Sequence, residues 1–268
     1  MNILIPMAGA GQRFSDAGYK MHKPAIPTID RHCGETKPMV VCATNDLPGV
    51  LLDGQNVIYI ERDFHKADGV EAEILRYFPA ARFISVDCLT EGQACTCLLA
   101  KKLINNDEPL LIAGCDNGMV FSKTKFEADM SDTDVLVFTY RKNDCVLKNP
   151  NAYGWMVADD NGVISSVSIK KAISDNPIND HAVVATFWFK TGKTFVTAAE
   201  KMINENDRIN GEFYVDQVVH HVLDMGLRAK VFEIERYIGW GTPQDFESYT
   251  KTYLYWRKFY LSEKYLGG

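Results

Sequence analysis

The run Asn2-Ile3-Leu4-Ile5-Pro6-Met7-Ala8-Gly9-Ala10-Gly11-Gln12-Arg13-Phe14 opens the chain and decides its fold. A short apolar strand empties into a loop of small residues that ends on an arginine. In open α/β sheets the carboxyl end of such a strand faces the ligand crevice, where loop N–H groups carry partial positive charge suited to phosphate. Gly9 and Gly11 tolerate close approach and left-handed backbone. Lys23-Pro24 follows ten residues after Arg13. Arginine offers a planar fork to phosphate oxygens and lysine a point charge on a long stem. Arg13 and Lys23 together read as a grip on a triphosphate.

Two better-known phosphate loops do not fit. A Walker A loop ends in Gly-Lys-Ser/Thr, whereas Gly11 is followed here by Gln12-Arg13. A dinucleotide fingerprint needs a third glycine where Phe14 stands, and its ribose acid should close a second strand. Asp30 has about the right spacing but follows Pro27 instead. An ordinary glycine turn is the bland alternative, and the rest of the chain has to decide.

The 268 residues suffice for one large α/β domain or two small ones. A net charge of −6 argues against a general binder of nucleic acid or anionic membrane, so the positive charge for a polyphosphate must be local. No apolar run reaches the roughly 18 residues of a membrane span, and no signal-peptide pattern opens the chain. A cytoplasmic location is expected. The seven cysteines are an odd and scattered set; Cys42, Cys88, Cys115 and Cys145 have apolar neighbours and read as free buried thiols. Cys95 and Cys97, two apart on an expected helix, face different ways and do not suit a shared metal.

Strand and helix patterns alternate through the first half. Val57 to Ile60, Arg82 to Val86, Leu110 to Ala113 and Val135 to Tyr140 read as strands, with helices expected over Glu71 to Phe78 and Gln93 to Ile104. Continuous apolar runs suit strands covered on both faces, hence a doubly wound, mainly parallel sheet with a Rossmann-like order. After Asn149-Pro150 the texture changes. Gly154 to Ala158 and Val163 to Ile169 flank Asp159-Asp160-Asn161-Gly162 as a hairpin, and Val183 to Phe189 is another strand. Helices follow over Thr194 to Asn206 and Tyr214 to Met225, then a strand over Arg228 to Ile234. Thr242-Pro243 reads as N-cap and first turn of a closing helix bearing Phe246, Tyr249, Tyr253, Trp256, Phe259 and Tyr260. Such an aromatic stripe signals packing or a subunit contact, and it points to a homodimer. The chain divides into residues 1–145, a smaller β-rich part over 146–240, and the closing helix over 241–268.

Leu4 to Phe14, Lys23-Pro24, Lys37-Pro38-Met39-Val40, Glu91-Gly92-Gln93-Ala94, Leu111 to Asp116 and Gly239-Trp240-Gly241-Thr242-Pro243-Gln244-Asp245 occur in order. This set resembles the signature of the sugar-phosphate nucleotidyltransferases (pyrophosphorylases), from Asn2 to about Tyr249, and most of all the short bacterial members found with surface-polysaccharide genes. Ala10 departs from a usual glycine, and Asp30 to Thr36 is longer and more polar than the turn expected before Lys37.

The resemblance implies a single nucleotidyltransferase domain that transfers a nucleotidyl group from an NTP to a phosphorylated small molecule, releasing pyrophosphate. It implies Mg2+ as cofactor, with Asp116 as metal ligand at the end of its strand. Alone, Asp116-Asn117-Gly118 would serve equally as a turn. Asp216 in Gly211-Glu212-Phe213-Tyr214-Val215-Asp216 is the candidate second ligand, with Gln217 and His220 as neighbouring alternatives. Ala8, Gly9, Ala10 and Gly11 would hold the nucleotide, and Gly92 and Gln93 would read its base. Tyr153, Gly154, Lys170, Lys171 and Glu212 resemble acceptor-binding positions. Arg13 and Lys23 carry the catalytic expectation, since neutralising and aligning phosphates is positioning and electrostatic work. The competing enzyme reading, a glycosyltransferase of similar fold, wants a D-x-D motif, and Gly118 stands where its second aspartate belongs. A silent regulatory subunit is the competing non-enzyme reading. Neither the base nor the acceptor, a sugar 1-phosphate or a phosphorylated amino alcohol, is legible.

Overall fold

The computed structural model describes residues 1–266, with side chains described through Ser262. Its strands in chain order are β1 (Asn2–Pro6), β2 (Pro27–Ile29), β3 (Thr36–Pro38), β4 (Val57–Arg62), β5 (Arg82–Val86) and β6 (Leu110–Ile112). The later ones are β7 (Asn117–Val120), β8 (Val135–Tyr140), β9 (Gly154–Ala158), β10 (Ile164–Ile169), β11 (His181–Phe189), β12 (Ala229–Glu233) and β13 (Arg236–Gly239). The main sheet runs β10-β9-β11-β6-β1-β4-β5, with β8 paired to β11 and β12 to β8. β6, β1, β4 and β5 are mutually parallel, as are β12 and β8, while β11 runs antiparallel to its neighbours. The expected doubly wound core is present.

Period-two alternation explains why the apolar runs are continuous. Leu4, Ile58, Leu110 and Ile112 pack on one face against the helices Gln93–Leu98, Gly192–Asn204 and Val215–Asp224. Ile3, Ile5, Val57, Tyr59 and Leu111 pack on the other with Val40 and Val41 of the helix Met39–Asn45. A strand buried on both faces has no polar face to show.

One strand does more than carry the sheet. Residues 181–182 of β11 pair with β9, residues 187–189 with β6. On its β8 side, Val183 opposes Thr139 and Phe187 opposes Val137, so a bulge lies between. Ala185 inside it has φ 59, a left-handed backbone that costs an L-residue. The bulge lets β11 leave the parallel core and join the β9–β10 hairpin.

Two expected elements differ. The helix from Gln93 ends at Leu98 and resumes over Lys101–Ile104, because the N–H groups of Leu99 and Ala100 turn to the carbonyls three residues back. The helix expected over Glu71 to Phe78 covers Val70–Leu75. Thr242 caps the closing helix Pro243–Leu266: its Oγ1 accepts from the Asp245 N–H at 3.2 Å. The aromatic stripe splits in two. Phe246 and Tyr249 pack on Phe14 and Trp240, whereas Trp256 and Tyr260 are exposed. All seven cysteines are free; Cys42 and Cys97 are buried, but Cys88, expected inside, is exposed where β5 runs out into a loop. Among the described residues, no helix is long and apolar enough to cross a membrane.

Candidate active site

The loop after β1 lies at the carboxyl ends of β1, β4 and β6, as its sequence demands. Gly11 takes φ 64 just before the short helix Gln12–Asp16. That helix places Arg13 at the mouth of a cleft of about 1100 Å3, exposed and with no hydrogen-bond or ion-pair partner among the described residues. Lys23 arrives from a separate stretch. Buried Pro24 fixes the turn after it, and its ammonium lies 2.5 Å from Oδ2 of Asp116 and 3.5 Å from the Gly241 carbonyl. Burial works against the lysine's charge, but Asp116 and Cys115 together outweigh it and hold the pKa above the ordinary lysine value.

Asp116 is set between β6 and β7. Its carbonyl accepts from the Trp240 N–H at 2.9 Å, which clamps it to the Gly241 turn after β13. Its Oδ1 accepts no hydrogen bond from the described residues, so one carboxylate oxygen stays free toward the cleft. Asp116, Arg13 and Lys170 line the same cleft, and Lys23 reaches it through its bond to Asp116. The phosphate grip of Arg13 and Lys23 and the expected metal ligand Asp116 therefore come from widely separated segments and meet.

On the far wall, Tyr153 and Lys170 line the cleft. The Lys170 ammonium bonds the Ala152 carbonyl and lies 5.5 Å from the Tyr214 ring. Gly154 backs this wall and meets Asp216: a Cβ on Gly154 would sit 2.8 Å from Oδ1 of Asp216. Burial pushes the Asp216 carboxyl up to about 6, against the pull of Lys170. The contacts of Asp216 are thus to the hairpin wall, and it shares no partner with Asp116. Lys171 and Glu212 are both exposed and lie outside the cleft lining.

Gly92 and Gln93 occupy a turn held by residue 213. The Phe213 N–H donates to the Glu91 carbonyl at 2.9 Å, and Ala94 donates to the Phe213 carbonyl at 3.0 Å. Gly92 has φ 133, and a Cβ there would lie 2.5 Å from Phe213 backbone atoms, so only glycine fits. Ala8 is buried; Gly9, Ala10 and Gly11 border a smaller cavity of about 160 Å3 with Lys23. Neither cavity is lined by Gly92 or Gln93.

Other lining residues had been given no role in the site. Val183, Val184 and Ala185 of the β11 bulge line the cleft, as do Asn117, Tyr237, Gln244 and Asp245. Gln244 and Asp245 close the Gly239 to Asp245 motif, and with the helix start at Thr242-Pro243 that motif was the signal that could have placed them there. Among the described residues, no three His, Cys, Asp or Glu side chains gather to hold a metal. A divalent cation at Asp116 would complete its ligands with phosphate oxygens and water. That donor set is the habit of Mg2+ in phosphate-handling sites.

No family model matches the chain. A curated relative, the bifunctional protein GlmU of Staphylococcus carnosus, is 24% identical over 230 residues, 85% of this chain and 46% of that protein. The chain thus spans about half the length of that relative. The solved nucleoside-diphosphate-sugar pyrophosphorylase from Vibrio cholerae superposes with a TM-score of 0.73 at 17% identity, covering 93% of this chain and 99% of that one. The inositol-1-phosphate CTP transferase from T. maritima superposes with a TM-score of 0.64 at 13% identity, covering 91% and 90%. The fold is that of the nucleotide-sugar pyrophosphorylases and nucleotidyltransferases.

Proposed function

We propose that the chain is a nucleotidyltransferase that joins an NTP to a phosphorylated small molecule, releasing pyrophosphate. The observation that carries this reading is the meeting of Arg13, Lys23 and Asp116 at one cleft, from segments with no local reason to meet. Arg13, exposed at the cleft mouth, grips the departing phosphates with its fork. Lys23, held beside Asp116, bridges the α-phosphate and the attacking phosphate and offsets the repulsion between them as the new P–O bond forms. Positioned cations acting away from bulk water are the main electrostatic resource for such a transfer. Asp116 would hold Mg2+, which when bound neutralises phosphate charge and polarises the α-phosphorus.

The wall of Tyr153, Gly154, Lys170 and Asp216 serves the acceptor in this reading. Lys170 faces its phosphate, and Asp216, packed against Gly154, shapes the wall behind. The likenesses to a nucleoside-diphosphate-sugar pyrophosphorylase and an inositol-1-phosphate CTP transferase support a sugar or polyol phosphate as acceptor. A place in surface-polysaccharide precursor synthesis rests on the sequence resemblance alone.

The test is pyrophosphate release with Mg2+, each of CTP, UTP, dTTP, GTP and ATP, and a panel of sugar, polyol and amino-alcohol phosphates. At least one pair should give stoichiometric pyrophosphate and a nucleoside-diphosphate conjugate. Consumption of a nucleotide sugar without pyrophosphate would instead favour glycosyl transfer.

A further inference from the structure

Lys23 stands at the end of a stretch with little structure of its own. Residues 17–22 follow the short helix Gln12–Asp16 as turn and bend, and Met21 is exposed. What fixes the lysine's approach lies on the residue before it. The His22 Nε2 is 2.6 Å from Oδ2 of Asp68, the residue that closes the helix Asp63–Ala67. The His22 ring also packs on Phe64 at 4.6 Å and on His65 at 5.1 Å. That helix springs directly from β4, the parallel neighbour of β1, and His65 is buried with its Nδ1 accepting from the Arg62 N–H at 3.3 Å. It is therefore a bracket anchored in the sheet, and His22 is the hook that fastens the lysine's loop to it.

We infer that His22 and Asp68 are a positioning pair that sets the reach of Lys23 toward Asp116 and the polyphosphate. This deepens the proposed function, because it takes Lys23 as the phosphate-bridging cation. The pair is half-exposed on the histidine side and exposed on the aspartate side. Ion pairs in such positions contribute little to global stability. A pair that matters here acts through the geometry of its neighbour. Tyr19 is held separately, its N–H on the Phe14 carbonyl and its ring on Phe14, so losing the hook leaves the fold intact and lets residues 20–23 swing, and the ammonium spends less time on Asp116. Misplacing a catalytic cation by about an ångström costs up to about a hundredfold in rate; loosening it costs less.

Competitive acetylation of the free protein, read lysine by lysine in a mass spectrometer, tests this without any substrate. Lys23 should label more slowly than exposed lysines such as Lys123 in the wild type. His22→Ala and Asp68→Ala should each raise its rate about fivefold, with an unchanged melting midpoint and no further gain in the double variant. His22→Gln, whose amide can still donate to Asp68, should restore protection. Equal Lys23 labelling in the wild type and both alanine variants, or additive effects in the double variant, would overturn the proposal. Pyrophosphate release then separates this idea from the one beneath it. With an active wild type, His22→Ala should lose about tenfold in kcat and His22→Gln should recover most of it. An active wild type matched within about twofold by His22→Ala refutes the positioning role but leaves the proposed reaction standing.

Discussion

At the scale of single residues, the site works by putting opposite charges where neither can relax away. Lys23 and Asp116 hold each other in the free protein, while the Arg13 guanidinium waits at the mouth, unpaired among the described residues. These residues were legible because each flanks a motif whose backbone purpose is clear, the end of a strand or a proline-fixed turn. Asp216 was legible only as a residue of interest. Its neighbours, Gly154 and Lys170, come from a hairpin far back in the chain, and nothing in the local run of Glu212 to Asp216 says which wall it will meet. Its environment makes a pH prediction. Burial raises its pKa to about 6, so the folded state binds a proton that the unfolded chain releases near the ordinary value of 3.8. The associated stability is complete below about pH 4 and is lost as pH rises through about 6. Asp216→Asn should therefore melt higher than the wild type at pH 8, with the gap closing by pH 4. A gap that does not change with pH would show that the carboxyl keeps its ordinary titration.

Among the elements, β11 is the one the sequence described least well. Val183 to Phe189 reads as one buried strand, and strand it is, but alternation gives no sign of a bulge. The signal would have been a glycine at the left-handed position, and Ala185 occupies it instead. The bulge turns Val183 to Ala185 toward the cleft at the point where β11 exchanges β9 for β6. Replacing Ala185 by glycine should relieve left-handed strain of about 1 kcal/mol and raise the melting midpoint by a few degrees (about 2–4 °C). Differential scanning calorimetry checks this; a lower midpoint would mean that the methyl group's packing outweighs the strain. The closing helix gives the opposite lesson. Its start was readable from Thr242-Pro243, since capping is local chemistry, whereas the fate of its aromatic stripe was not. Which rings pack on Phe14 and Trp240 depends on where the helix lies against the sheet.

Across the whole molecule, a parallel core carries the opening loop, and an antiparallel extension through β11, β9 and β10 carries the opposite wall. The cleft lies between them, and β7 paired with β13 brings Asp116 and Gly241 together at its base. The parallel core could be read from continuous apolar runs; the closing of the cleft could not, because it depends on pairings between distant strands. In the proposed reaction Arg13, Lys23 and Asp116 act together on one Mg2+-bound polyphosphate. Titration of the wild type, Lys23→Ala and Asp116→Asn with Mg2+ and each nucleoside triphosphate, followed by calorimetry, measures this directly. The wild type should bind at least one nucleotide, with affinity falling about a hundredfold in either variant. Binding in Lys23→Ala equal to that of the wild type, or no binding of any triphosphate by the wild type, would contradict it.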